Sequence, residues 1–463
     1  MAYYCYMLQC VDGSFYTGWT LDPARREKQH NAGHGAKYTR LHRPVHLVYI
    51  EEQPDHSTAL RREKAIKKLS HNQKADLAKL FRQENMNKKT AMVHVISPGR
   101  VNMLGEHVDY NDGLVLPAAI DKEVSIQALS RPDDQIKIRA RDLDEEVLMT
   151  LASLQNKQNA AGQPLPVWAL YPAGVAWVLQ KYGLKVTGIE AEFQSNLPIG
   201  AGLSSSAAVE VGFAVLWQAL GGWKLDRMTI ARYCQEAEVK YVGVNCGLMD
   251  QFACANGVAG HALLLDTRSL EWRPVKLPPG TCIVIADSGV RRNLGNSAYN
   301  TRHEECNQAV AILKDHYPEI RALRDVSLEQ LEAVKTDMPG TVYRRARHII
   351  SEIKRVLAAV DFLDRGNGKE FGRLMIATHK SLKDDYEVSC SELDILVESA
   401  IKIEGCLGAR LTGAGFGGCT VNLVNEEAVD LFISRLKHEY LTQTGKDAAI
   451  FLCRAAAGAH VVE

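Results

Sequence analysis

Residues 82–90, RQENMNKKT, carry no apolar period and follow a Lys-rich helical segment, so no hydrophobic core on either side can absorb them. They read as the boundary between a small front module and a long back module. Length agrees, because 463 residues exceed what one ordinary core supports. Charge divides at the same place. Residues 1–90 hold 16 Lys and Arg against 9 Asp and Glu, and the remainder carries the matching acidic surplus, so the net charge is zero. A basic module beside an acidic one points to separate partners, the first of them a polyanion such as nucleic acid. The competing reading is a basic surface that binds nothing specific.

Apolar residues make up 46% and charged residues 24%, which excludes disordered and fibrous classes. No run of about 18 apolar residues occurs, so no membrane-spanning helix and no membrane partner is expected. The opening MAYYCYMLQC lacks the basic and apolar regions of a signal peptide. Eleven Cys are scattered without a CxxC pair, which predicts a reduced, cytoplasmic protein without disulfides or structural zinc.

In the front module, residues 3–10, 15–20 and 46–52 read as strands, with a tight turn at Asp12-Gly13-Ser14. Pro23 opens a helix to about His30, and residues 60–69 and 73–81 have helical spacing. In the back module, strands are predicted at 136–139, 188–194, 262–266, 282–287 and 419–424. Helices are predicted at 167–182, 204–220, 226–241, 297–316, 343–363 and 427–440. The pattern is α+β, with two lobes and a cleft between them.

Three clusters of the back module carry chemistry. The run PIGAGLSSSAA at 198–208 follows a predicted strand and opens a predicted helix. Gly200 and Gly202 allow a tight turn and close approach to a ligand. Ser204, Ser205 and Ser206 would cap the helix, whose free N–H groups favour an anion. An ordinary Ser-capped loop is the alternative, and no Lys follows the second Gly as a GxxxxGK[ST] loop requires. A second cluster, LTGAGFGGC at 411–419, has too many Gly for one turn and suggests packing against the first loop or a ligand. The third, PGRVNMLGEHVDYNDG at 98–113, sets Glu106, His107 and Asp109 on a Gly-hinged segment suited to several vicinal hydroxyls. Its spacing is neither HExxH nor an EF-hand loop, which argues against metal ligation there.

Together and in this order, these clusters resemble the GHMP kinase superfamily, and within it the galactokinases. The run at 99–111 is similar to the galactokinase signature. GLSSSA at 202–207 is similar to the superfamily's ATP loop, and GLMDQFA at 247–253 and GAGFGGC at 413–419 to its other motifs. The resemblance implies a two-lobed GHMP-kinase fold, with lobes at 92–285 and 286–463, phosphorylating galactose at C1 from ATP with Mg2+. It implies that Glu106, His107, Val108 and Asp109 form the sugar loop. Gly200, Ala201, Gly202, Leu203, Ser204, Ser205 and Ser206 would cradle the ATP phosphates. Ser206 and Glu238 would ligate Mg2+, Asp250 would be the catalytic carboxylate near the C1 hydroxyl, and Tyr299 would touch the far side of the sugar. Arg100 would sit beside Asp250, keep it ionised and stabilise developing phosphoryl charge. A helix cap is the plain alternative for Asp250, and Tyr299 stands in a loop position where Tyr is common. Val108 stands where relatives usually carry Thr, so a kinase for N-acetylgalactosamine stays open. So does a non-catalytic sensor of galactose and ATP, although a pure binder has no need of Arg100, Ser206, Glu238 and Asp250.

Residues 1–83 resemble the small form of the GIY-YIG nuclease superfamily, through Tyr4-Cys5-Tyr6, Tyr16-Thr17-Gly18, Arg25-Arg26 with His30-Asn31, and the run LRREKAIKKLS at 60–70. Residues 84–91 would be the linker to the kinase. The resemblance implies that Tyr6 and Tyr16 assist water or the scissile phosphate. Arg26, four residues before His30, would bind phosphate, and Glu63 would ligate a divalent ion. The first motif departs from Gly-Ile-Tyr but keeps its Tyr. Lys37, Arg40, Arg43, Arg61, Arg62, Lys64, Lys67 and Lys68 would supply charge for DNA.

Overall fold

A computed structural model describes residues 2–90, 92–198, 200–291 and 295–462, with the side chains of residues 83–90 and 295–297 outside the description. The chain divides into two compact units, Met1–Ala91 and Met92–Glu463.

In the first unit, β1 (Tyr3–Cys10) and β2 (Phe15–Thr20) form an antiparallel hairpin. Helix α1 (Pro23–Asn31) follows, with the Asp22 side chain accepting Arg25 N–H and Pro23 in the first turn. The short α2 (Lys37–Leu41) leads to β3 (Val45–Gln53), which pairs with β1 and completes the order β2-β1-β3. Alternation along β1 sends Cys5 and Met7 to one face, where Ile66 of α3 (His56–Lys67) and Ala78 of α4 (His71–Thr90) cover them. Tyr6 and Leu8 turn to the other face, beside Val45. Helix α4 continues through residues 84–90, where the sequence suggests a linker. The side chains there, and Ala91, lie outside the described residues.

The second unit opens with β4 (Val93–Asn102), β5 (Leu114–Val115), β6 (Pro117–Ser130), β7 (Gln135–Ala140) and β8 (Glu145–Thr150). After α5 (Val167–Lys181) comes β9 (Ile189–Ser195). The main sheet has the order β16-β4-β6-β9-β7-β8, its first strand being β16 (His460–Val461) from the far end of the chain. Helices α6 (Ser205–Gly221), α7 (Arg227–Glu236) and α8 (Met249–Asn256) follow; α6 and α8 pack on β4 and β6. Helix α6 is apolar almost all round, as a helix sunk in a core must be. The helix predicted at 226–241 stops at Glu236 and passes into a π-helical turn, Ala237–Val242.

Strands β10 (His261–Asp266) and β11 (Trp272–Lys276) join β5 in a small sheet. A four-stranded sheet, β13-β14-β12-β15, is built from β12 (Thr281–Asp287), β13 (Cys406–Thr412), β14 (Cys419–Asn425) and β15 (Ala449–Cys453). Between them run α9 (Gly295–His316), α10 (Leu328–Ala333), α11 (Gly340–Asp364), α12 (Gly368–Asp384) and α13 (Ser391–Ala400), with α14 (Val429–Thr444) after β14. The lobe boundary expected at 285/286 falls inside β12. That strand pairs along its whole length with β14, so residues 281–285 belong to the second lobe's sheet. Among the described residues no helix is long and apolar enough to cross a membrane.

Candidate active site

Segments far apart in the second unit converge on one cavity of about 790 Å³. Arg100, near the end of β4, is 5% exposed. Its Nε and Nη2 lie 2.8 and 2.7 Å from Asp250 Oδ1, and its Nη1 donates to Gly202 O at 2.6 Å. Ser204 Oγ donates to the other oxygen, Asp250 Oδ2, at 2.6 Å. Both carboxylate oxygens are held, which fixes the plane of the group in the first turn of α8. Burial pulls the Arg100 guanidinium down, but Asp250 and Glu106 outweigh it and hold it above its usual value.

Ser204 differs from its expected role. It stands at the N-cap of α6 with a left-handed backbone (φ 59°) and makes no capping bond, because its hydroxyl is engaged by Asp250. The first-turn N–H groups of α6 are left without a side-chain cap, the arrangement that suits a phosphate. Gly200, Gly202, Leu203, Ser205 and Ser206 line the cavity. Ala201 and Val108 do not. Both are fully buried in the apolar core, Val108 against Gly113. Ile199 lies outside the described residues.

The opposite wall is the 105–109 loop. Glu106 is 2% exposed, pairs with Arg410 Nη2 at 3.2 Å, and accepts from Asn102 Nδ2 and Gly413 N–H. The second Gly cluster therefore packs on the 105–109 loop through Gly413, and Gly415 abuts Val388 O. His107 takes a left-handed backbone (φ 64°). Its Nδ1 is 2.9 Å from the Tyr110 hydroxyl and its Nε2 3.3 Å from Ala414 O. Burial, then Asp250 and Glu106, push the Asp109 carboxyl up to about 7. Gly247 leaves room for the Asp109 carboxylate, since a Cβ there would sit 1.9 Å from Asp109 Oδ2 and displace it. Tyr299, on α9, has its ring 5.6 Å from His107 and 5.4 Å from Tyr110, and burial raises its hydroxyl well above the usual range.

Glu238 sits in the π-helical turn, 6% exposed. Its neighbours are Gln251, Cys246, Ser206 and Asp250. Burial, then Asp250, push its carboxyl up. Gln251 also donates to Glu210 Oε2 at 3.0 Å, and Glu210 is fully buried with its other oxygen unpartnered.

The first unit has its own cluster. Tyr6 OH lies 2.9 Å from His30 Nε2, and His30 Nδ1 lies 2.6 Å from Thr39 Oγ1. Thr39 donates its one hydroxyl proton to Ala36 O at 2.9 Å, so it accepts from His30 Nδ1–H. His30 Nε2 is then bare and accepts the Tyr6 proton. Burial, then Arg26, hold the His30 ring down at about 4, which keeps it neutral. Burial also raises the Tyr6 hydroxyl. The Tyr16 ring is 5.0 Å from His30. Arg26 Nη1 donates to Gln29 at 2.9 Å, and Glu63 pairs with Lys67.

These arrangements are shared with known proteins. The GHMP kinases N terminal domain matches residues 171–258 and the GHMP kinases C terminal family residues 359–442. The galactokinase galactose-binding signature matches residues 79–128. Galactokinase of Roseiflexus sp. (strain RS-1) is 45% identical over 367 residues, 79% of this chain and 92% of that protein. The chain belongs to the galactokinase family. Galactokinase of Chloroflexus aurantiacus is 42% identical over 79% of this chain and 92% of its own. The crystal structure of Lactococcus lactis galactokinase complexed with galactose superposes with a TM-score of 0.75 at 32% identity, covering 81% of this chain and 98% of that one. A mevalonate kinase, at 21% identity and a TM-score of 0.54, shares the fold over 79% of this chain and 99% of its own. The GIY-YIG catalytic domain matches residues 2–76, so a nuclease-type domain precedes the galactokinase.

Galactokinases are kinases and use ATP. Within this galactokinase, sequence reasoning missed Tyr171 and Arg291, which line the cavity, and Arg410, Glu210 and Gln251 behind it. Arg291 pairs with Asp287 through two contacts of 2.8 Å and lies beside Gly200. A basic residue just past the end of β12 is a signal that was present for Arg291. The others sit in ordinary helix or strand patterns.

Proposed function

We propose that the second unit transfers the terminal phosphoryl group of ATP to the C1 hydroxyl of galactose. The observation that carries this reading is a single cavity in which the clamped Asp250, the uncapped end of α6 and the Glu106–Asp109 loop face one another. Asp250 accepts a hydrogen bond or the proton from the sugar hydroxyl. Arg100 holds that carboxylate in plane and offers positive charge to the moving phosphoryl group. The N–H groups opening α6, with Ser205 and Ser206, take the phosphates. Glu106, His107, Asp109 and Tyr299 bind the sugar's other hydroxyls. Val108 packs in the core away from the cavity, so its place in the sugar loop gives no ground for preferring N-acetylgalactosamine.

The donor set near Glu238 fits Mg2+. A buried carboxylate with a raised pKa lies beside a second carboxylate and the Ser206 hydroxyl. Among the described residues no group of three or more His, Cys, Asp and Glu could hold an ion alone, so phosphate and water oxygens would have to supply the remaining ligands. Bound there, Mg2+ would neutralise charge on the ATP phosphates. An ADP-release assay with galactose, N-acetylgalactosamine and no sugar tests the reading. Release with galactose above the sugar-free rate is expected. Preference for N-acetylgalactosamine would replace the substrate, and no release with either would leave a sensor.

We infer that the first unit acts on nucleic acid, supported by the Tyr6–His30 contact with Tyr16 and Arg26 beside it. Tyr6 would orient water or the scissile phosphate and Arg26 would bind phosphate. Glu63 would hold a divalent ion in exchange for Lys67. The full chain should bind DNA at low salt with affinity falling steeply as salt rises, and Tyr6→Phe should abolish nicking without loss of binding. Absence of binding at low salt would end this reading.

A further inference from the structure

Helix α11 lies behind the sugar loop rather than in the cavity, yet it carries a carboxylate with no solvent exposure, Glu352. A buried charge is costly unless its oxygens are met. Glu352 Oε1 accepts Gly105 N–H at 2.8 Å. Its Oε2 accepts from Arg355 Nε at 2.7 Å and from the Thr378 hydroxyl of α12 at 2.8 Å. Burial pushes the carboxyl up, but Arg355, His348 and Arg410 outweigh it and hold it down at about 2, so it is charged. One turn earlier on α11, His348 Nε2 lies 3.3 Å from Glu106 O.

The helix therefore meets the N–H of Gly105 and the carbonyl of Glu106, the two backbone groups that flank their shared peptide. Gly105 is the freest backbone point of this loop, so a bond from outside can fix it. Its φ of +91° is a glycine conformation, and a Cβ there would lie 2.6 Å from Leu114 O and 2.9 Å from Val115 Cα. On the other side, Arg410, Asn102 and Gly413 hold the Glu106 side chain. The backbone and the side chain of one cavity residue are thus gripped from separate elements.

We propose that Glu352, which does not line the cavity, is a positioning residue that sets the affinity for hexose by holding Gly105 N–H, with His348 as its counterpart on the Glu106 carbonyl. This rests on the reading of Glu106 as a sugar-binding residue. A carboxylate is required because an amide meets only one side. With its oxygen toward Gly105, the amide NH2 faces the donor Arg355 Nε; flipped, it faces Gly105 N–H.

The test is steady-state kinetics of the full chain with galactose and ATP varied separately. Glu352→Gln should raise the galactose KM on the order of tenfold, the factor that about 1.4 kcal/mol carries, with kcat and the ATP KM within about twofold of wild type. Thr378→Val frees only the opposite oxygen, and should lower the melting temperature while leaving the galactose KM in place. His348→Gln should move the galactose KM in the same direction as Glu352→Gln, and it decides the matter if Glu352→Gln does not fold. A galactose KM unaltered in these variants, or raised equally by Thr378→Val, overturns the proposal alone. A wild type that releases no ADP with galactose overturns the sugar reading, and this inference with it.

Discussion

Tyr6 and His30 meet as neutral partners, whereas Arg100 and Asp250 meet as charges. Tyr6, His30 and Arg100 are all buried, while Asp250 is half-buried and opens on the cavity; His30 is neutral and Arg100 charged, so burial alone does not decide which form a group takes. His30 is fully buried among Tyr6, Tyr16 and Thr39, and its other electrostatic neighbour is Arg26, a like charge that helps hold it neutral. Arg100 is almost as buried, but Asp250 and Glu106 stand against it and it stays charged. The second unit extends this device outward through Glu106–Arg410 and Glu352–Arg355. A larger core can enclose both members of an ion pair and the groups that satisfy them. The smaller unit, in its candidate site, hides groups that need no counter-ion.

This contrast can be broken by experiment. The largest effect is expected from Asp250→Ala, which leaves Arg100 without its partner. Turnover should fall by about 10⁴-fold while ATP still binds, measured by ADP release and by calorimetric titration. Retained turnover would remove the charged pair from the chemistry. Next is Glu238→Ala, with a fall of about 10²-fold and a Mg2+ titration moved to higher concentration. An unaltered titration would detach Glu238 from the metal. A smaller effect concerns Asp109, raised from 3.8 to about 7 in the folded chain. In that interval the unfolded chain ionises first, so ionisation favours unfolding. Wild type should lose melting temperature relative to Asp109→Asn as pH rises from 3.8 to about 7, and no further above it. A constant difference across pH would contradict the assignment. The smallest expected effect is none at all. Nitrogen NMR of His30 should show one neutral ring, protonated on Nδ1, across pH 5–8 by the contacts to Tyr6 and Thr39. A ring that charges in that range would erase the contrast between the units.

The two units were not equally legible in the sequence. The Gly200–Ser206 loop was visible because its chemistry is local: glycines for the turn, serines at a helix start. Strand β1 was visible because Tyr3–Cys10 is a short apolar, aromatic-rich run closed by the Asp12-Gly13 turn. The Arg100–Asp250 pair joins residues 150 apart, which no local pattern reports, and only the family resemblance put them together. Ser204 was misread because a Ser before a helix ordinarily caps it, and the competing partner came from another element. Val108 and Ala201 stand among site residues in the sequence, but both side chains turn into the apolar core, which chain adjacency does not report. Glu352, Glu210 and Arg410 gave no signal, since a lone charge in a helix or strand normally faces water.

The return of His460–Val461 to the edge of the sheet that carries Arg100 has a bearing on synthesis. Ribosomes release a chain from its amino end, so the three-stranded sheet of the first unit can settle early, while the edge beside Val95 and Ile96 waits for residues 460–461 to emerge. From the time the first unit has emerged until residues 460–461 follow, then, a nascent polypeptide would display a finished nuclease-type domain ahead of a kinase unit whose strand bearing Arg100 is still open on one side.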